Sequence, residues 1–219
     1  NRVLNRYPED LSEKAKQNLE QMGVDVRLNA FVSNVTDQGV FIGDEFIETE
    51  NIIWAAGNNA SPVIKTITHH LNSMGQAEVN PDFSIKEDPD IFCIGDCCSL
   101  TDSSGQAVPG VAQGAIQAGK FVAKQIIGDQ SNKKRGIFQY NDKGLMATIG
   151  RSKAVAKIAN LRFSGFLAWL LWGIVHILFL IDFRNKIFVC IDWLTSYFTH
   201  KRSVRLINTH RADPHLKQD

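Results

Sequence analysis

The stretch IFCIGDCCSLTDSSGQAVPGVAQGAIQ, residues 91–117, decides the fold of this chain. Its apolar start, residues 91–94, predicts a buried strand that ends in Gly95 and Asp96. A loop follows, and a helix is predicted from Pro109, because proline is favoured in a first helical turn. Glycine lets a ligand approach the backbone, a carboxylate accepts hydrogen bonds, and a helix start offers free N–H groups. The arrangement therefore predicts a site for a polar cofactor.

Two short motifs in this stretch carry a family resemblance. The sequence FCIGD, residues 92–96, resembles the second FAD motif of the two-dinucleotide-domain flavoprotein reductases, in which the aspartate binds the ribityl chain. The sequence AQGAIQ, residues 112–117, resembles the AQxAxQ pattern of the type II NADH:quinone oxidoreductases, the non-pumping NADH dehydrogenases. The resemblance implies an α/β fold, namely the C-terminal half of a two-Rossmann-domain FAD/NAD(P)-binding flavoprotein with C-terminal membrane-associated helices.

The same resemblance implies the cofactors and the residues that hold them. The cofactors are FAD and NADH, and the flavin takes hydride from NADH and passes electrons to a membrane quinone. The implied cofactor-binding residues are Ala56, Gly57, Gly95, Asp96, Val111 and Ala112. Residues 51–57 are predicted to be a buried strand and resemble the WxAG segment of the family. No catalytic side chain is expected, since the flavin is the redox centre.

Four residues are candidates for the quinone site. Gln113 and Gln117 lie four residues apart, so they share one face of the predicted helix. An uncharged amide can donate a hydrogen bond to a quinone carbonyl without the cost of burying a charge. Lys143 and Met146 are further candidates, because residues 144–151 resemble the start of the family's C-terminal domain, near the quinone entrance. The alternative is that both glutamines only pack the helix against that domain.

Composition and missing motifs exclude several classes of protein. The net charge of +1 gives no reason to expect nucleic acid as a partner. The four cysteines form no CxxC pair and have no histidine nearby, which predicts buried thiols and no metal site. No GxGxxG loop, which seats a pyrophosphate on a helix start, occurs in the 219 residues. The family carries two such loops, so both are expected upstream of residue 1.

The order of the predicted elements divides the chain into three parts. Residues 1–50 are predicted to end an NADH-binding domain, residues 51–130 to belong to the FAD-binding domain, and residues 131–219 to form a membrane-docking domain. The N-terminal part is predicted to hold a helix over residues 8–22 and strands at residues 24–26, 32–35, 40–42 and 46–47. Strand-like segments are also predicted at residues 138–140 and 145–149. The basic run that contains Arg135 is interpreted as a solvated loop.

The C-terminal part predicts contact with a membrane. Residues 163–181 carry no charge and as a helix would measure roughly 28 Å, close to a hydrocarbon core of about 30 Å. Basic residues flank this run on both sides, which favours a helix that lies in one leaflet on the cytoplasmic face of the inner membrane. Residues 187–198 predict an amphipathic interfacial helix, and residues 209–219 a disordered tail. A buried core helix and a true span remain the alternatives.

Two other functions remain open from the sequence. A sulfide:quinone reductase is the nearest enzyme, but it needs redox-active cysteines at the flavin. The chain is also compatible with a non-catalytic fragment or membrane-interaction module, because it lacks both phosphate-binding loops. The expected partners are a quinone and a lipid surface, and the resemblance allows a homodimer. The sequence distinguishes neither the quinone used nor NADH from NADPH.

Overall fold

The computed structural model describes residues 1–55, 57 and 59–199. The helices in these residues are α1 (Glu9–Gln21), α2 (Ala112–Asp129), α3 (Gly165–Phe179) and α4 (Phe183–Thr199). The strands are β1 (Val32–Thr36), β2 (Gly39–Ile42), β3 (Glu45–Glu48), β4 (Ala77–Glu78), β5 (Cys98–Ser99), β6 (Leu145–Gly150), β7 (Lys153–Ile158) and β8 (Leu161–Ser164). Both helices and strands are present, so the predicted α/β class is confirmed.

The chain divides into two compact units. The first is built from Asn1–Leu28 together with Leu145–Asp219, and the second from Asn29–Gly144. The three predicted domains, with boundaries at residues 50 and 130, stay a prediction.

The first unit is organised around an antiparallel sheet in which β7 lies between β6 and β8. Side chains alternate between the two faces of a strand. Val155 therefore points to one face, where it joins a buried cluster with Leu11 of α1. Ala154 and Ala156 point to the other face and pack with Ala168 of α3. α1 and α3 thus cover opposite faces of the sheet, and the alanines let α3 approach closely.

α1 forms where the sequence predicts a helix. Leu11 and Ala15 are one turn apart and both are buried. Gly23 follows the helix with φ +86°, a conformation that glycine adopts without steric cost. The strand predicted at residues 24–26 is wrong, because these residues have no strand partner among the described residues.

The second unit begins with the predicted hairpin and third strand. β1 pairs with β2 and β2 with β3, all antiparallel, and Thr36 faces Gly39 across the tight turn. A side chain at Gly39 would collide with the Ile47 carbonyl, which explains why glycine stands at this turn. The strands predicted at residues 32–35, 40–42 and 46–47 are therefore confirmed.

Three phenylalanines form the centre of the second unit. Phe83, Phe121 of α2 and Phe138 make mutual edge-to-face contacts with ring centroids 4.8 to 6.2 Å apart. Ala118 and Val122 add the buried face of α2 to the same core. α2 thus stands on a packed base, which fixes the direction in which its first turn points.

Three predicted strands do not form. Residues 91–94 make one isolated bridge, Ser84 to Phe92, and residues 138–140 lie outside any strand. Residues 51–55 are extended, and Ile53 and Trp54 are 90% and 67% exposed. Residues 91–93 run antiparallel to residues 83–85, with hydrogen bonds from the Ile85 N–H to the Ile91 carbonyl and from the Cys93 N–H to the Phe83 carbonyl, but this contact is too short to form a strand of a described sheet. No described strand lies beside residues 51–55 or 138–140. The strands predicted at residues 51–57, 91–94 and 138–140 are therefore wrong for the described residues.

The charge-free run of residues 163–181 is not one helix. Its first two residues, Phe163 and Ser164, end β8 and pair with β7, and the fifteen-residue α3 follows. α4 forms over the segment predicted to be amphipathic and packs on α3 through Trp172 and Trp193, whose rings stack 5.4 Å apart. Among the described residues, no helix has both the length and the apolar character needed to cross a bilayer. The predicted disordered tail, residues 209–219, lies outside the described residues.

Arg135 is not part of a solvated loop. Its guanidinium binds both carboxylate oxygens of Asp129, with distances of 2.7 to 3.0 Å. The third guanidinium nitrogen, Nη1, donates to Asp82 at 3.3 Å and to the Pro89 carbonyl at 2.6 Å. The guanidinium also lies 4.8 Å from the centre of the Phe92 ring. One side chain therefore ties the end of α2 to two loops that are distant in sequence.

We expect Arg135→Lys to lower the free energy of unfolding by about 2 kcal/mol at pH 7, because lysine cannot reproduce the forked contacts. Burial alone raises the pKa of Asp82, but hydrogen bonds from Ser84 and Arg135 outweigh it and lower that pKa. A lowered carboxyl pKa stabilises the fold above the unfolded value of about 3.9, and the contribution is lost on acidification. The difference between variant and wild type in urea unfolding should therefore shrink at low pH. Lys134→Met, at an exposed neighbouring position, is the control and should be near neutral.

Candidate functional site

The turn that carries Gly95 and Asp96 lies against the start of α2. Gly95 has φ +71° and opens a 3-10 turn, Gly95–Cys97. A Cβ at Gly95 would lie 3.6 Å from Ala115, and one at Gly110 would lie 3.6 Å from Asp96 Oδ1. The Asp96 side chain is exposed, and no group of the described residues binds its carboxylate. The structure therefore presents an unpaired carboxylate beside the segment that leads into α2.

A side-chain amide fixes this turn from the other side. Gln76 Nε2 donates to the Asp96 carbonyl at 3.0 Å. The Gln76 amide oxygen accepts a hydrogen bond from Asn72 Nδ2 at 2.8 Å, so the amide is itself held in place. The adjacent strands β4 and β5 are parallel, with Ala77 opposite Cys98. Gln76 was not predicted from the sequence, because nothing in the neighbouring residues indicates that its partner is Asp96, twenty residues away.

The first turn of α2 has no side-chain cap. Val111 and Ala112 are both exposed, and Val111 is in extended conformation. The first bond into the helix runs from the Ala115 N–H to the Val111 carbonyl at 3.2 Å. The N–H groups of Ala112, Gln113 and Gly114 therefore have no partner in the described part of the chain. Together with the positive end of the helix dipole, they suit an electron-rich ligand.

Gly114 allows the preceding loop to pass close to this turn. A Cβ at Gly114 would lie 2.5 Å from the Pro109 carbonyl oxygen, which no side chain tolerates. The other glycine of the predicted set, Gly57, has φ +113° and stands in open space, with no atom within 4 Å of a Cβ placed there. Ala56 lies outside the described residues. The structure thus brings the turn of Gly95 and Asp96 against the segment that leads into Val111 and Ala112, and the place of Gly57 in the cofactor set stays a prediction.

The two predicted quinone-site glutamines differ in their bonding. Both are half-buried on α2. Gln117 Nε2 donates to the Asn141 carbonyl and Gln117 Oε1 accepts from the Asn141 N–H, both at 3.0 Å. The Gln113 amide binds no group of the described residues. Gln113 is therefore the amide that remains available to a ligand.

The other two quinone-site candidates lie in different units. Lys143 is exposed in the second unit, and its ammonium has no partner in the described chain. Met146 is on β6 in the first unit and packs against the cluster of Ala154, Ala156 and Ala168. Its place in the quinone set stays a prediction.

Asp102 is a buried hydrogen-bond acceptor that sequence analysis missed. It is 8% exposed, and its Oδ1 accepts from the Ser104 N–H, the Ser104 hydroxyl and the Gln106 N–H at 2.6 to 3.1 Å. Its Oδ2 accepts from the Tyr140 N–H at 3.1 Å. The hydrogen bond from the Ser104 hydroxyl is the main cause of a lowered pKa of Asp102. The Asp-Ser-Ser-Gly sequence was the available signal, since it is typical of a turn closed by an aspartate side chain.

Cys93 and Cys98, two of the three cysteines at the turn, are poorly suited to redox catalysis. Burial, with the neighbouring Cys97 thiol, raises the pKa of Cys93 to about 11. Burial also raises the pKa of Cys98 to about 12, with further contributions from the neighbouring thiols and Asp96. A thiol with a raised pKa stays protonated at neutral pH and is a weak nucleophile. This argues against the sulfide:quinone reductase alternative.

Two protein families match the sequence of this chain and define the class of protein to which it belongs. Residues 1–119, more than half of the chain, match the sequence family described as pyridine nucleotide-disulphide oxidoreductase. Residues 143–202 match the family described as the NDH2 C-terminal domain. Within that class, this chain belongs to the type II NADH dehydrogenase family, so the resemblance seen in residues 91–117 is confirmed.

Individual relatives agree with this assignment. The chain is 36% identical to the type II NADH:quinone oxidoreductase Ndh of Mycobacterium tuberculosis over 92% of this chain and 45% of that protein. It is 34% identical to the type II NADH:quinone oxidoreductase of Haemophilus influenzae, over 73% of this chain and 36% of that protein. The chain thus spans less than half the length of these relatives. The solved structure of NDH2 from Plasmodium falciparum in complex with NADH shares the fold, with a TM-score of 0.81, 15% identity, and coverage of 94% of this chain and 58% of that one.

Proposed function

We propose that the complete protein is a non-proton-pumping NADH:quinone oxidoreductase with FAD as its redox cofactor. Family membership supports the proposal. One observation carries the proposal: the Asp96 carboxylate, which binds no other described group, lies close to the first turn of α2, whose N–H groups have no side-chain cap. Bound FAD supplies the hydride and electron chemistry, taking hydride from NADH and passing electrons to the quinone.

The residues around this turn fit a flavin nucleotide. The Asp96 carboxylate accepts hydrogen bonds from ribityl hydroxyls, as the family resemblance implies. The N–H groups of Ala112 and Gln113 face a ligand without competition from a capping side chain. Val111 and the main chain at Gly95 complete this wall of the cofactor site. Ala56 and Gly57 belong to the proposed set through the WxAG resemblance alone.

The proposed quinone set is Gln113, Gln117, Lys143 and Met146. Gln113 is the direct hydrogen-bond donor, because its amide has no other partner within the described chain. An amide can bind a quinone carbonyl at little desolvation cost, whereas a buried charge could not. Lys143 offers a second donor from an exposed position.

We expect Gln113→Ala to raise the quinone KM about fivefold, the equivalent of one net hydrogen bond of about 1 kcal/mol. Single-turnover reduction of the bound flavin by NADH should stay at the wild-type rate. The control is Gln130→Ala, which removes an exposed glutamine just after the other end of α2. Unchanged quinone kinetics with a lowered melting temperature would show that Gln113 only packs the helix.

We propose that α3 and α4 dock on the lipid surface of the cytoplasmic leaflet of the inner membrane. Both helices expose large apolar side chains, which are Phe166, Leu167, Leu170, Ile174, Leu178, Phe179, Phe183, Ile187, Phe188, Ile191, Leu194 and Phe198. Large exposed apolar side chains that cluster on two consecutive helices are typical of a surface that meets a membrane or a partner. Arg151 and Lys153 precede α3 in sequence, and Arg184 and Lys186 lie in the first turn of α4; these basic residues favour the anionic cytoplasmic side.

The domain assignment completes the proposal. Residues 1–50 end the NADH-binding domain, residues 51–130 belong to the FAD-binding domain, and residues 131–219 form the membrane-docking domain. The family match over residues 143–202 supports the last of these. A homodimer is the proposed assembly, and light scattering of the detergent-solubilised protein tests it.

One experiment tests the function against the non-catalytic alternative. The complete protein is purified with its membrane fraction, its bound flavin is quantified, and NADH oxidation is followed with a short-chain ubiquinone and a menaquinone analogue under anaerobic conditions. Stoichiometric FAD and quinone-dependent NADH oxidation are expected. Membrane binding without flavin or NADH oxidation would instead identify a membrane-interaction module. Sulfide-dependent quinone reduction without NADH oxidation would identify the alternative enzyme.

A further inference from the structure

An extended segment, residues 136–143, runs antiparallel along α2. The Gly136 N–H donates to Gln125 Oε1 at 2.7 Å. The rings of Phe138 and Phe121 lie 5.4 Å apart. Asn141 forms its two hydrogen bonds with Gln117, as described above.

The three ties climb α2 turn by turn. On α2 they fall at residues 125, 121 and 117, and on the segment at residues 136, 138 and 141. Each helical turn of about 6 Å is thus matched by two or three residues of the segment. One further turn takes the segment to residues 143 and 144, at the level of residue 113. By this spacing, Lys143 is expected near Gln113, the proposed donor to the quinone.

Main-chain hydrogen bonds hold the segment at Phe138, whereas side chains hold it at residues 140 and 141, which have no strand partner among the described residues. The Gln117 amide makes with Asn141 the donor and acceptor pair that a neighbouring strand would otherwise supply. Asp102 holds the adjacent residue through the Tyr140 N–H. Consecutive residues, Tyr140 and Asn141, are thus fixed by a loop side chain and a side chain of α2, two residues before Lys143.

We propose that Asp102 and Gln117 are positioning residues that hold residues 140–143 along α2 and so fix Lys143 opposite Gln113 in the quinone site. The inference rests on the proposed quinone function. It assigns Gln117 an indirect role, because both ends of its amide already bind Asn141. The proposal assigns Asp102 an indirect role as well, because Asp102 acts on the site through its hydrogen bond with the Tyr140 main chain.

Asp102→Asn tests the role of Asp102, because asparagine keeps one side-chain oxygen and has an NH2 group in place of the other. The asparagine oxygen can still accept the hydrogen bonds from Ser104 and Gln106. The asparagine NH2 group then faces the Tyr140 N–H, and because both are donors the hydrogen bond to Tyr140 is lost. The substitution thus releases Tyr140 while it preserves the turn. Ser104→Ala is the matched control, since it removes one hydrogen bond from the same carboxylate and leaves the Tyr140 contact intact.

In the complete, flavin-loaded protein, Asp102→Asn should raise the quinone KM about fivefold, the equivalent of one net hydrogen bond, with flavin reduction by NADH unchanged. Amide hydrogen exchange in a peptide that covers residues 140–143 should become faster. Ser104→Ala should change neither quantity. If Asp102→Asn does not fold, Gln117→Met replaces it, with the same expected results.

A double-mutant cycle with Lys143→Met decides whether the effect passes through Lys143. Once Lys143 is removed, Asp102→Asn should raise the quinone KM no further. Independent, multiplicative effects of the two substitutions would overturn the proposal, and so would an unchanged KM despite faster exchange. A wild-type protein that reduces no quinone would refute the proposed function itself, which is a different outcome from either.

Discussion

Purified Asp96→Ala protein is expected to lose most of its FAD. The Asp96 carboxylate is exposed and unbound in the described chain, so it is free to accept hydrogen bonds from ligand hydroxyls. Hydrogen bonds to a charged group contribute about 1.5–3 kcal/mol, so FAD affinity should fall roughly tenfold to a hundredfold. The measurements are the ratio of FAD to protein after gel filtration and the Kd of the apoprotein for added FAD.

Two further variants make the flavin experiment specific. Asp96→Asn keeps an acceptor oxygen but loses the charge, so its FAD affinity should be intermediate. Asp90→Ala removes an exposed carboxylate six residues earlier and should retain flavin fully. A full complement of flavin in Asp96→Ala, with the absorbance spectrum of the wild type, would refute the assignment of Asp96.

A triple variant, Phe179→Asp, Ile181→Asp and Phe183→Asp, should release the complete protein from membranes. These side chains are 61%, 88% and 75% exposed at the junction of α3 and α4, so the substitutions leave the core of the first unit intact. Burying one large apolar side chain is worth about 1.5–3 kcal/mol. Each substitution should therefore weaken partitioning at least about tenfold. The measurement is the fraction that pellets with membranes.

Point substitution is preferable to truncation in this experiment. Deleting the chain from residue 163 onward would remove Ala168, which packs on the central strand β7. Loss of that contact could release the protein by unfolding it. Phe31→Asp is the control, because Phe31 is 83% exposed but lies in the other unit. If the triple variant still pellets and survives a high-salt wash, the docking surface lies elsewhere.

The sequence predicts the elements that depend on local signals. α1, the hairpin of β1 and β2, and α2 each carry their own periodicity and turn residues, and all three form. Residues 51–55 and 91–94 have the composition of strands, but strand formation depends on a neighbour that local sequence cannot supply. The same limit explains α3, whose expected first residues pair with β7 instead.

The site divides in the same way. Gly95, Asp96 and Gln113 could be found because they belong to contiguous motifs. The contacts of Gln76 with Asp96, of Asp102 with Tyr140 and of Arg135 with Asp82 could not, because each partner is distant in sequence and is a main-chain or carboxylate group. Asp102 and Tyr140, for example, are 38 residues apart.

The open start of α2 would make the lifetime of the proposed flavoprotein depend on cofactor supply. A helix whose first N–H groups have no internal cap is prone to fray, and a bound ligand stabilises only the ordered state by mass action. Cells short of flavin would therefore hold more of the protein with this turn opened. Locally opened chains are the preferred substrates of proteases. The abundance of the protein would then fall with the supply of flavin.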